Sequence, residues 1–190
     1  SLGLAQRELL ALYQALRRAQ PPALPAPAPY SRYIKWLQGR DAGRSRAFWN
    51  DFLKDYRQAA TVPVTANGPA RIEDFFFDLD EHAVRGLKSL AVARQVTLNT
   101  VLQSIWALLL ARYNAVDDVV FGSIVAGRPS EVPGIEQMVG LFINLVAVRI
   151  RPRGGLRFSE LLQDVQRDSL DSEPHQHYPF SQVQADSALP

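Results

Sequence analysis

The chain has 190 residues, 47% of them apolar and 21% charged, with a formal net charge of +2. That length supports one domain or large subdomain with its own core, and the charge is too small and too scattered (Arg17–Arg18, Arg44 and Arg46, Arg149–Arg153) to indicate nucleic acid or an anionic membrane; these cations read as solvated helix faces and strand ends. The absence of cysteine removes disulfides, thiol catalysis and thiolate zinc sites and fits a reducing cytoplasm.

The first residue is Ser1, helical pattern begins almost at once, and no basic region precedes an apolar run. The chain therefore reads as a piece of something longer, without a signal peptide. No stretch has the uninterrupted apolar length of a membrane span. Leu4–Ala19 is expected to be a helix with Leu9, Leu12, Tyr13 and Leu16 on one apolar face. Pro21–Pro29 holds five prolines in nine residues and stops it, because each ring fixes φ and removes a donor. This segment reads as a surface crossover, since Tyr30, Tyr33, Ile34, Trp36 and Leu37 follow it and call for burial. Arg44–Arg57 is a second helix, with Phe48, Phe52 and Tyr56 on one side. After a loop over Thr61–Ala70, Arg71–Leu79 alternates like a strand.

Asp80 is placed as the N-cap of a helix to about Gln95, with Val84, Leu87 and Ala91 inward. Thr97 is the N-cap of the next, to about Tyr113. In that helix Leu98, Val101, Leu102, Ile105, Leu108 and Leu109 line one face, widened by Trp106 and Leu110, so burial on most sides is expected. Val119–Val125 and Leu145–Arg151 read as strands, and Phe158, Leu161, Leu162 and Val165 mark a last helix. After Asp171 the pattern fades. The order predicts an α/β domain with a sheet covered by helices.

No complete catalytic set is visible. His82 reads as a surface residue. His175 and His177 stand two apart beside Tyr178-Pro179-Phe180, where a structural loop with one hydrogen-bonded histidine is a better reading than a metal site lacking a third ligand. Gly122–Pro129 (GSIVAGRP) reads as a turn or as a loop lining a channel. Its Arg128 suits a structural ion pair, or a carboxylate or phosphate. Asn144 interrupts an apolar run, and an unpaired buried amide costs about 1–3 kcal/mol, so it needs a partner in backbone, water or ligand.

Three segments in order resemble one family. Tyr30–Trp36 (YSRYIKW) looks like its aromatic YxxYxxW motif. Gly122–Pro129 followed by Val139–Arg149 (VGLFINLVAVR) resembles its GxxxxGRP and VGxFxNT pair, and His175–Phe180 (HQHYPF) resembles its HQxYPF motif. The family is that of nonribosomal peptide synthetase condensation domains, and the resemblance spans essentially all of residues 1–190. VGLFIN, where epimerisation relatives carry a VGWFT-like segment, points to peptide-bond formation.

The resemblance implies a chloramphenicol acetyltransferase-like lobe with a mixed β-sheet flanked by helices. It implies that residues 1–190 are the C-terminal subdomain, with a floor loop over about Gly127–Phe142. The reaction joins aminoacyl or peptidyl thioesters, as in antibiotic biosynthesis. No cofactor is bound directly, because substrates arrive on the phosphopantetheine of carrier proteins. The implied partners are the chain's own N-terminal lobe, donor and acceptor peptidyl carrier proteins and an adjacent adenylation domain, with no nucleic acid and no membrane. The family's catalytic HHxxxDG is absent from this sequence, so no catalytic residue is assigned and the chain alone is expected to be inactive. Asn144, Ser123, Arg128 and Gly140 are the expected substrate-binding residues. Leu145 replaces the family's usual threonine, and Ala126 a small hydroxylated residue. Two other readings stay open: a non-catalytic relative that recruits carriers or partner enzymes, and an ester-forming carrier- or CoA-dependent acyltransferase. A lobe separated from its partner is also expected to expose apolar surface at Val139–Phe142, to self-associate, or to carry a mobile floor loop.

Overall fold

The computed structural model describes residues 2–57, 59–62, 74 and 76–187. Helix α1 (Leu2–Arg17) forms as expected, but none of its residues is fully buried. Leu9, Tyr13 and Leu16 are 66%, 56% and 77% exposed. The proline segment then runs along the surface without regular structure. The aromatic residues after it form α2 (Ser31–Gln38), which buries Tyr33.

Helix α3 (Ala42–Leu53) starts at Asp41, whose side chain accepts the Arg44 N–H at 3.0 Å. It ends earlier than the sequence suggests, and Asp55 just beyond takes a left-handed φ of 65°. Its buried line is Ser45, Trp49 and Leu53, spaced i, i+4, i+8, while the expected Phe48 and Phe52 are only partly covered. Tyr56 is buried as expected, from the turn rather than the helix.

Of the expected strand Arg71–Leu79, residues 71–73 and 75 lie outside the described residues, as do 63–70 of the expected loop before it. Asp74 and Phe76–Leu79 are exposed coil rather than strand. Among the described residues the hydrogen-bonded ladder is formed by two later strands, and this segment is not part of it. Helix α4 (Glu81–Ala93) begins where Asp80 accepts the Ala83 N–H at 2.7 Å. Helix α5 (Leu98–Asn114) begins where Thr97 accepts the Thr100 N–H at 3.0 Å. Both caps stand as the sequence predicts.

The burial of α5 does not follow the expectation. Its inward line is Thr100, Val101, Ser104, Ala107, Leu110 and Ala111. Leu102, Ile105, Trp106 and Leu109 are between 41% and 45% exposed. Small side chains allow close approach of α5 to strand β1 (Val119–Val125) and to helix α6 (Phe158–Ser172), so the small face turns inward. The hydroxyl of Ser104 is satisfied by donating to the Thr100 carbonyl at 2.8 Å.

Strand β1 pairs antiparallel with β2 (Asn144–Ile150), from Val119 opposite Ile150 to Val125 opposite Asn144. This two-stranded antiparallel ladder is the only sheet among the described residues, in place of the expected mixed one, within an α/β arrangement. Val119, Phe121, Val148 and Ile150 pack against α5 and α6. Val120, Val146 and Ala147 pack with Trp49 and Leu53 of α3 and with Tyr178 and Val183. The fading segment after Asp171 is in fact ordered into a 3₁₀ turn (Glu173–His175) and a helix α7 (Phe180–Asp186).

Arg149 is the clearest departure from the solvated-cation reading. It is 6% exposed. Its guanidinium grips Asp118 at 2.5 and 2.9 Å and donates to the carbonyls of Phe52 and Lys54 at 2.8 and 2.7 Å. A buried cation persists only when so paired. It staples β2 to the end of α3.

Candidate functional site

Three separate stretches of sequence meet at one end of the β1–β2 ladder. The loop between the strands begins at Gly127, whose φ is +56°; a Cβ there would lie 1.9 Å from the Phe142 carbonyl oxygen. Only glycine suits that position. The loop then folds back through a 3₁₀ turn (Ile135–Gln137) and buries Val132, Ile135, Met138 and Phe142.

These residues pack on α2. Tyr33 stacks with Trp36 at 5.9 Å and approaches Phe142 at 4.9 Å. The Tyr30 hydroxyl donates to the Leu141 carbonyl at 2.6 Å. Gly140 lies under the Tyr30 ring, where a Cβ would come within 2.3 Å of Cδ2. Alternation divides the loop's end: Met138 and Phe142 point inward, while Val139, Leu141 and Ile143 are 52%, 74% and 64% exposed. The expected apolar exposure near the floor loop is thus found at three residues, but Phe142 belongs to the core.

Beside this cluster lies a cleft of about 480 Å³. Tyr33, Trp36, Arg128, Asn144 and His177 line it, and Arg40 and Glu131 form a 3.5 Å ion pair among its walls. The Arg40 guanidinium sits 3.9 Å above the Trp36 ring. The Trp36 indole N–H is buried with no acceptor among the described residues.

The four expected site residues do not converge. Asn144 is in the cleft, but its amide is engaged by backbone: Nδ2 donates to the Gln176 and Tyr178 carbonyls at 2.5 and 3.2 Å, and Oδ1 accepts the Leu145 N–H at 3.0 Å. Arg128 also lines the cleft, yet it donates to the Ile135 and Met138 carbonyls and lies 3.9 Å over the Phe142 ring. It braces the floor loop from within. Gly140 serves the packing of Tyr30. Ser123 is elsewhere, accepting from the Gln103 amide at 3.0 Å in a narrow slot between the ladder and the α5 and α6 helices. Leu145 lays its side chain across Gly122, where a Cβ would meet it at 3.0 Å, and Ala126 adds a methyl to the cleft wall.

His175, in the 3₁₀ turn, and His177, just beyond it, both face one serine. Ser45, 1% exposed, lies 3.1 Å from His175 Nδ1 and 3.4 Å from His177 Nε2. His175 also stacks on Phe48 at 4.3 Å, and its carbonyl accepts the Trp49 indole N–H at 3.1 Å. Burial lowers the pKa of both imidazoles, helped for His175 by Arg44 and then His177. For His177, hydrogen bonding to the Pro174 carbonyl opposes the burial effect and Arg40 adds to it. His82 is exposed, as its sequence context suggests.

Sequence reasoning missed Ser45, Arg40 and α7. Ser45 carried one usable signal, a polar residue in line with Trp49 and Leu53 at four-residue spacing. Among the described residues, no three His, Cys, Asp or Glu side chains group as metal ligands. No helix among them is long and apolar enough to cross a membrane.

Comparison with known proteins sets this geometry in context. The family model described as Condensation domain matches residues 1–190. Tyrocidine synthase 2 of Brevibacillus parabrevis is 40% identical over 185 residues, covering 96% of this chain and 5% of that protein. A structure of the X-domain with OxyB from teicoplanin biosynthesis matches with a TM-score of 0.81 at 25% identity, covering 100% of this chain and 44% of that one. The first condensation domain of the calcium-dependent antibiotic synthetase, in complex with substrate analogue 2a, shares the fold with a TM-score of 0.77 at 20% identity. The match covers 97% of this chain and 44% of that one. The chain therefore spans under half of these structures and a small part of the synthase.

Proposed function

The chain belongs to the condensation-domain family, and on that premise we propose that residues 1–190 are the C-terminal lobe of an enzyme that forms peptide bonds in nonribosomal peptide synthesis. The observation that carries this reading is the meeting of the three motif segments, Tyr30–Trp36, Gly122–Arg149 and His175–Phe180, around one cleft. The 44% coverage of the condensation-domain structure supports the division into lobes.

In the proposed reaction, an acceptor amine on one carrier protein attacks the donor thioester on another. The amide bond forms, the carbon–sulfur bond breaks, and the donor thiol leaves carrying a proton. Phosphopantetheine arms deliver both substrates, so the lobe needs no cofactor of its own. This sequence holds no HHxxxDG, and a general base from the N-terminal lobe completes the site. The role of this lobe is to build one wall. Arg128 and Gly140 hold the floor loop at Gly127–Phe142 in shape, Asn144 ties β2 to the HQHYPF turn, and Ser123 faces the neighbouring slot. The exposed Val139, Leu141 and Ile143, with Ile124 at 73%, form the apolar surface that the N-terminal lobe covers. Donor and acceptor carriers and an adenylation domain are the further partners, and the location is the cytoplasm.

The test is product analysis with the parent protein and two loaded carriers. Amide product from the parent, and none from residues 1–190 alone, is the expected result. Amide synthesis by residues 1–190 alone overturns the lobe assignment, and ester formation with an alcohol acceptor in place of amide assigns the acyltransferase reading. One observation favours recruitment as a second reading: the X-domain, alike over all of this chain, is seen in complex with OxyB. A parent protein that makes no amide yet binds a partner enzyme or carrier selects it.

A further inference from the structure

We propose that Ser45, His175 and His177 form a proton-sensitive clasp, which holds the Glu173–Tyr178 turn against α3 and so keeps the cleft wall in place, and which releases when the histidines become charged. The geometry defines how the neutral clasp is wired. His177 Nε2 faces the Ser45 hydroxyl at 3.4 Å, and His175 Nδ1 faces it at 3.1 Å. A neutral imidazole has one donor nitrogen and one acceptor. Ser45 has one proton to give, so with both rings neutral one of the two facing nitrogens accepts it and the other donates to the Ser45 oxygen. Each of the three polar atoms is then used once.

Protonation breaks that order. A charged imidazole carries a proton on both nitrogens, so once the accepting ring is charged both rings present N–H groups to Ser45. The Ser45 O–H, on a residue only 1% exposed, then loses its acceptor. A second positive charge would also face the first across one oxygen atom. The surrounding charges do not help. Arg44 on α3 and Arg40 before it bear on the two imidazoles as cations. The nearby acids are engaged elsewhere: Asp41 caps α3, Glu131 pairs with Arg40, and Asp186 of α7 holds Arg46 at 2.6 Å and the Tyr178 hydroxyl at 2.9 Å. Glu173, on the turn itself, is exposed.

The clasp reaches the cleft by two links. His177 is part of its wall and lies edge-on to Trp36 at 5.9 Å. The carbonyls of Gln176 and Tyr178 are the acceptors for Asn144, at the start of β2. Loosening the turn thus frees Asn144 and widens the cleft without disturbing the ladder's far end.

The sign follows from linkage. Both folded-state values lie below the ordinary 6.5, so above that pH neither state binds extra protons and the clasp is intact. As pH falls below 6.5 the released state takes up protons first, and the clasp weakens until the folded values are passed. Each histidine contributes up to about tenfold per pH unit in that window.

The test is hydrogen exchange by mass spectrometry on the intact parent protein between pH 7.5 and 5.0, corrected for intrinsic exchange, with α5 as the internal reference. Peptides covering 173–183 and 144–146 are expected to lose protection by about tenfold from pH 6.5 to 5.5, relative to α5. Ser45→Ala is expected to show the loosened pattern already at pH 7.5. His175→Asn with His177→Gln removes the titrating groups, and the pH response is expected to vanish. A wild-type series with no change at 173–183 relative to α5 overturns the clasp, whether or not any variant folds. So does an unchanged pH response in a folded double variant. Neither result touches the peptide-bond reading, on which the clasp does not rest.

Discussion

The floor loop and helix α5 treat their large apolar side chains in opposite ways. In the loop, Val132, Ile135, Met138 and Phe142 are all under 5% exposed, although only three of its residues are in regular structure. In α5, a regular helix of 17 residues, a stripe of Leu102, Ile105, Trp106 and Leu109 stays more than 40% exposed. The difference lies in what each has opposite it. The loop folds onto α2, whose aromatic rings fill its concave side, and its backbone is tied to Arg128 and Tyr30. The outer face of α5 has no counterpart among the described residues, and α1 is left in the same condition. Regular secondary structure is therefore no guide here to which surface is finished; contact with a partner element is.

The largest expected effect lies in the loop. Gly127→Ala places a methyl against the Phe142 carbonyl on a left-handed residue. It is expected to cost roughly 3 kcal/mol in denaturant unfolding. A cost near zero would mean the loop is not held as described. Removing one bond from the same cluster should cost less. Tyr30→Phe deletes the 2.6 Å contact to the Leu141 carbonyl and should lower stability by about 1 kcal/mol, with the Tyr33–Phe142 packing kept.

The smallest effect is expected on α5. Leu102→Glu with Leu109→Glu should change the stability of residues 1–190 by no more than about 0.5 kcal/mol per site, because neither side chain leaves a core. Sedimentation should show less self-association than in the unaltered chain. A loss above about 2 kcal/mol would turn the stripe into a core face and erase the contrast with the loop.

Local chemistry is legible from the sequence wherever one residue acts on its near neighbours. Asp80 and Thr97 cap the helices they precede, and Val119–Val125 forms the expected strand. The α/β class and the family follow from pattern and motif spacing. The partners of long side chains are not legible, since they come from distant sequence. Arg149 reads as a solvated cation until Asp118 and the α3 carbonyls close around it. Asn144 needs a partner wherever its apolar run is buried, but the carbonyls that serve it are 32 and 34 residues away.

Helix periodicity alone determined that α1 and α5 are amphipathic; tertiary structure decided which face of α5 is buried. The hydrophobic effect favours covering the larger stripe, yet the close approach of α5 to β1 and α6 needs Ser104, Ala107 and Ala111 on the inside. Likewise the sequence determined that Arg128, Gly140 and Asn144 sit in one motif region. Only the fold decided that their atoms are spent on the loop and the HQHYPF turn, because the loop folds back to bring its own carbonyls to Arg128, while Tyr30 before α2 and the turn before α7 are brought to Gly140 and Asn144.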